Sequence, residues 1–159
     1  MKQIHDYSNR FLFIIQVILP RVLPPSAVRK EPSMDIAEKE KIFQTAGIDF
    51  NAGLARFMGN EDLYKKYLIS FLYDSSFQEL CIGTEIKDMD MIWDLAVTLK
   101  GTTANLSLDH LANEVDYLLQ NIIILRTNND AGLSLQPALE KLNSAYKASC
   151  DAIAEVYAS

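Results

Sequence analysis

The chain has 159 residues, 49% of them apolar, with 21 acidic against 15 basic side chains for a formal charge of −6. That length suits one domain and suffices to bury a core, and so much apolar content with sparse Gly and Pro points to a helical globular fold rather than disorder. The acidic balance, with no basic run or stripe, argues against nucleic acid, because duplex binding draws its affinity from cations that neutralise phosphates.

Residues 1–33 differ from the rest. Phe11 to Leu19 is an apolar run, FLFIIQVIL, followed by Pro20, Arg21, Pro24, Pro25 and Pro32. A helix of that length reaches only about 14 Å, less than half of a hydrocarbon core of roughly 30 Å, so no membrane span is expected. Lys2 and Arg10 before the run match the layout of a secretory signal, but Asp6 and the lack of an Ala-x-Ala cleavage pattern speak against one. The segment reads instead as a loosely attached leader or an upstream extension of a frame starting at Met34, with the Pro-rich piece as a linker. The expected division is therefore an extension over 1–33 and a folded unit over 34–159.

From Met34 the periodicity becomes regular. Asp35 to Thr45 predicts a short helix carrying Ile36, Ile42 and Phe43, ended by Gly47 after Ala46. Asn51 is the expected cap of a second short helix presenting Leu54, Phe57 and Met58, with Gly59 in its closing turn. Asn60, followed by Glu61 and Asp62, opens a longer helix expected to continue past Asp74 to about Cys81 and to stop near Gly83. Its predicted apolar side is Leu63, Tyr67, Phe71 and Leu72, opposite Lys65 and Lys66. Tyr64, Tyr67, Phe71 and Tyr73 at helical spacing read as core and rim rather than as a ligand-binding aromatic box.

Asp88 to Asp90 starts the central helix, with Ile92, Leu95, Ala96, Leu99, Thr103 and Leu106 facing the core. Trp93, Val97, Lys100, Gly101 and Ala104 then share the opposite side. Ser107 is the expected cap of the next helix, whose apolar face is Leu108, Leu111, Val115, Leu118, Leu119 and Ile122. Thr127 to Gly132 reads as a loop. Ser134 caps a last helix that tolerates Pro137 in its first turn and buries Leu139, Leu142, Tyr146, Ser149, Ile153 and Val156. The predicted fold class is all-α, an antiparallel four-helix bundle with short N-terminal helices, which buries every apolar stripe at once.

Two stretches carry a family resemblance. Gly47-Ile48-Asp49 before a short helix, then LARFMGNEDLY, and at the expected distance AVTLKGTTANL, together resemble a histidine-containing phosphotransfer domain over about Gly47 to Leu125. The usual active-site pattern of that family is Ala-His-x-Leu-Lys-Gly, matched here by Ala96, Leu99, Lys100 and Gly101. The acceptor His is Val97 in this chain, and the later Gly that eases the interhelical turn is Ser107.

The resemblance implies a place in two-component phosphorelay signalling, where the family's imidazole accepts a phosphoryl group from a receiver aspartate. Lys100 matches the Lys that balances phosphoryl charge, and Gly101 the Gly that keeps the helix face low for a close approach. Two methyl groups at Val97 can neither attack nor hold phosphate. The implied role is a pseudo-phosphotransfer module, not an enzyme and cytoplasmic. It would dock the receiver domain of a response regulator or a hybrid histidine kinase through Trp93, Val97, Lys100, Gly101 and Ala104.

A different class is a structural or regulatory helical module that keeps only the fold and binds something unrelated, itself included, through the Trp93 stripe. Relocated phosphotransfer through His110 fits poorly, because that residue lies on the far side of a helix break, and Thr98 has no base to activate it. Cys81 and Cys150 lack the short spacing of a zinc or redox site and read as a reduced intracellular pair, although one disulfide stays possible if the fold joins them. With His5 and His110 as the only imidazoles, neither a metal nor another cofactor is expected.

Overall fold

The computed structural model describes residues 34–128 and 134–157; everything expected of 1–33 lies outside them. Seven helices and no strand occur among the described residues. They are α1 Ile36–Thr45, α2 Phe50–Arg56, α3 Glu61–Phe71, α4 Ser76–Ile86, α5 Met89–Asn105, α6 Asp109–Asn128 and α7 Gln136–Tyr157.

The first turns follow from local chemistry. Gly47 after α1 has φ 72° and Gly59 after α2 has φ 75°, left-handed values that close a helix without a Cβ penalty. The cap of α2 is Asp49 rather than Asn51, its carboxylate accepting the Ala52 N–H at 2.8 Å. Helix α2 consequently buries Phe50 and Gly53. Met58 is instead 91% exposed. Asn60 caps α3 as expected, accepting from Leu63 N–H at 3.0 Å.

The single long helix expected from Asn60 is two. After α3 the chain turns through Leu72 to Ser75, where Asp74 accepts the Ser76 N–H at 2.8 Å and Ser75 Oγ donates to Glu79 Oε1 at 2.7 Å. These side chains satisfy the donors of a fresh helix start, and the backbone takes that option. Helix α4 also runs past Gly83, which is buried where Ile92 and Met91 of α5 approach. The buried side of α3 is Tyr64, Leu68, Phe71 and the adjoining Leu72, whereas Leu63 and Tyr67 are exposed. The predicted face is therefore turned by one residue.

The rest of the chain packs in sequence: α4 against α5, α5 against α6 and α6 against α7, with α3 returning to α7. Asp90 meets Arg126 at 2.7 Å and Lys100 meets Asp116 at 2.5 Å, pairs equidistant from Leu108, so α5 and α6 are antiparallel. Lys65 over the Tyr157 ring and Phe71 against Tyr146 set α3 antiparallel to α7 in the same way.

The core side of α5 is Ile92, Ala96, Leu99, Thr103 and Leu106, with Leu95 only half-buried. All six apolar residues expected on α6 are buried. In α7, Ser134 Oγ accepts the Gln136 N–H at 3.2 Å, and Ala138, Ala145 and Ala152 join the expected buried set while Leu139 stays at its edge. Thr127 and Asn128, expected in a loop, form the last turn of α6; the remainder of that loop lies outside the described residues.

Ser107 is not a helix cap. It follows α5 with φ 55° and is fully buried, its hydroxyl without a hydrogen-bond partner among the described residues. Its carbonyl accepts Asp49 N–H at 2.9 Å, and the Gly47 carbonyl accepts His110 N–H at 3.0 Å, so two bonds fasten the α1–α2 turn to the α5–α6 turn. A left-handed non-Gly residue costs on the order of 1–2 kcal/mol and an orphan hydroxyl adds to that. Ser107→Gly should therefore stabilise the protein by roughly 1 kcal/mol after the added chain entropy of Gly. Urea unfolding checks this; a midpoint lower than that of the parent would refute it.

Candidate functional site

Helix α5 is held at both ends. Asp88 caps it, accepting Met91 N–H at 3.0 Å, and near its far end the Leu106 carbonyl accepts the Tyr64 hydroxyl at 2.7 Å. Burial, then the proximity of the Tyr157 phenol and of the Asp49 and Asp109 carboxylates, keeps the Tyr64 phenol protonated well above its ordinary range, so it remains a donor. With Ala96 and Leu99 sealed in the core, the opposite face must point outward.

That face is where the sequence placed the site. Val97 is 46% exposed. Lys100, Gly101 and Ala104 are exposed beside and beyond it. Among the described residues a Cβ built on Gly101 would meet nothing within 4 Å. No packing contact among the described residues demands glycine there, although a helix-interior Gly costs about 1 kcal/mol relative to Ala.

Two of the five candidate residues are engaged within the chain. Trp93 is half-buried, and the Arg126 guanidinium lies 5.3 Å from its ring centroid while bonding the Met89 carbonyl at 3.0 Å and Asp90 at 2.7 Å. Arg126 thus covers part of the indole by a cation–π contact. Lys100 is paired with Asp116, but both side chains are substantially exposed, and such a pair contributes under about 1 kcal/mol. Lys100 can therefore exchange partners at little cost. The sequence reading missed Arg126 and Asp116, although an antiparallel pairing of α5 and α6 about Leu108 would have placed both.

Among the described residues no alternative acceptor stands beside Val97. Thr98 Oγ1 donates to the Asp94 carbonyl at 2.9 Å and Thr102 Oγ1 to the Thr98 carbonyl at 3.3 Å, ordinary back-bonds within the helix. His110 is exposed on the first turn of α6, with its Cβ against Gly47. Cys81 and Cys150 are free, and burial pushes their thiols up to about 11 and about 12, which leaves little thiolate for nucleophilic work. Among the described residues no group of three His, Cys, Asp or Glu side chains is placed to hold a metal, and no helix is long and apolar enough to cross a membrane.

What the arrangement offers chemically is a low, mostly apolar helix face with one exchangeable cation at its flank. No family model, curated protein or solved structure matches the chain.

Proposed function

We propose that the chain is a phosphotransfer-type signalling module that retains a docking face and has lost the acceptor. In this reading α3 and α4 form one interrupted arm of an antiparallel four-helix bundle completed by α5, α6 and α7. The module acts in the cytoplasm by binding the receiver domain of a response regulator or hybrid histidine kinase without taking its phosphate. The observation that carries the reading is the outward placement of Val97 at the imidazole position of the AVTLKG pattern, with open space over Gly101 in the next turn. Lys100 then serves as a cation for the acidic pocket of the receiver once released from Asp116.

A second reading is an interaction module unrelated to phosphorelay. The Arg126 clamp on Trp93 and the Lys100–Asp116 pair favour it, because both occupy candidate contact residues from within.

Gly101→Ala separates the two. The variant should be about 1 kcal/mol more stable, since a Cβ there gains helix propensity and strikes nothing. Its affinity for a cognate receiver domain, read by titration calorimetry, should nevertheless fall roughly tenfold, because a methyl group intrudes into a close helix contact. Lys100→Ala should weaken the same binding and reduce its salt dependence. Receiver affinity untouched by either change, with only self-association responding, would overturn the docking reading in favour of the second.

A further inference from the structure

A groove of about 570 Å³ opens between the end of α2, the outer side of α3 and the last turn of α5. Small-ligand sites span roughly 300–1,000 Å³. Phe71 and Leu106 line it among apolar residues that belong to the core. A ladder of rings leads into it from that core. Tyr64 and Phe57 have centroids 5.2 Å apart, and Phe57 and Tyr67 are again 5.2 Å apart. The ladder ends at Tyr67, which is 51% exposed and has aromatic surface free to take another ring.

The polar groups lining the groove narrow what that ring must carry. No carboxylate lies within ion-pair distance of the Arg56 guanidinium among the described residues, and the Asn105 side-chain amide bonds no described residue. A guanidinium and an amide together suit a carboxylate. Asp74 also lines the groove, held in place by Ser76 N–H, and its charge opposes a dianion such as an aryl phosphate.

We infer that this groove binds small aromatic monocarboxylic acids, the ring extending the row of tilted rings that ends at Tyr67 and the carboxylate meeting Arg56 and Asn105. The site lies beside the Val97 face rather than on it, and the inference does not depend on the receiver-docking reading.

The test is an NMR titration of the full chain with indole-3-acetate. Saturable shifts of the Arg56, Phe57, Tyr67 and Asn105 amides are expected, with a Kd of about 1 mM or tighter. Indole, which lacks the carboxylate, should bind about tenfold more weakly to the parent protein, and Arg56→Gln should cost the acid a similar factor. Phenyl phosphate should bind worse than phenylacetate, and Asp74→Asn, which keeps an acceptor for the Ser76 N–H, should narrow that gap. No saturation by about 10 mM, shifts centred elsewhere, or equal affinity for indole and its acid would overturn the inference. The comparison of indole with its acid uses only the parent protein, so it stands even if a variant folds poorly.

Discussion

On the proposed reading, Val97→His is expected to take up phosphate where the parent chain takes none. Incubated with an aspartyl-phosphorylated receiver that binds it, the variant should acquire an acid-labile, base-stable label, whereas the parent protein and a Val97→Gln control stay blank. The step breaks the P–O bond to the receiver aspartate and forms a P–N bond to the imidazole, which gives up its proton. It needs an exposed lone pair and a nearby cation. The fold supplies room for both: Val97 is already 46% exposed, so an imidazole projects outward without entering the core, and Lys100 is held only by a surface pair to Asp116. Asp116→Asn should raise the yield further by freeing Lys100. A receiver that binds Val97→His tightly yet leaves no label would show that this face lacks phosphotransfer geometry, and with it the basis for reading the chain as a lapsed member of that class.

Where the sequence reading held, a repeating pattern carried it. The apolar stripes of α5, α6 and α7 recur at three and four residues over long helices, and their buried sets emerged almost unchanged. The outward side of α5 follows from the inward one by elimination, which is why the exposure of Val97 was legible. The misreadings share another cause. On α3, Leu63 and Tyr67 make as good a stripe as Tyr64 and Leu68; what decides is the Tyr64 hydroxyl reaching the Leu106 carbonyl, a contact between residues far apart in the chain. Asp49 and Asn51 are equally good caps on propensity, and the choice falls to the residue whose own N–H is fastened to Ser107. Ser107 reads as a cap because its residue type favours one, while the turn demands a left-handed residue whatever the type. The break at Asp74 is written in Asp-Ser-Ser, whose side chains offer a fresh helix start that a single helix continued to about Cys81 leaves out of account. The engaged states of Trp93 and Lys100 depend on side chains of α6 and were beyond any reading of α5 alone.

The same glycine-to-alanine change that should help at position 101 should do severe damage at Gly53. Both residues are helical, so propensity alone predicts a gain of about 1 kcal/mol at each. At Gly53, however, a Cβ would sit 2.1 Å from the Tyr64 hydroxyl oxygen and 2.3 Å from its ring carbon Cζ. Both lie in a fully buried side chain that is packed against Phe50 and Phe57. The ring cannot swing aside without leaving the Leu106 carbonyl unpaired, so overpacking and the lost buried hydrogen bond act together, for a net cost of about 2–4 kcal/mol. That is a large share of a typical 5–15 kcal/mol, equivalent to a fall in Tm of roughly 10 °C. Tyr64→Phe, which removes the bond but not the ring, should cost only about 1 kcal/mol. It should rescue Gly53→Ala incompletely, because Cζ remains in the way. Urea melts of the two single variants and the double variant measure this. A Gly53→Ala protein within about 0.5 kcal/mol of the parent would mean that Tyr64 does not stand where the fold puts it. The anchoring of the α5 terminus, and the register that turns Val97 to solvent, would then lose their support.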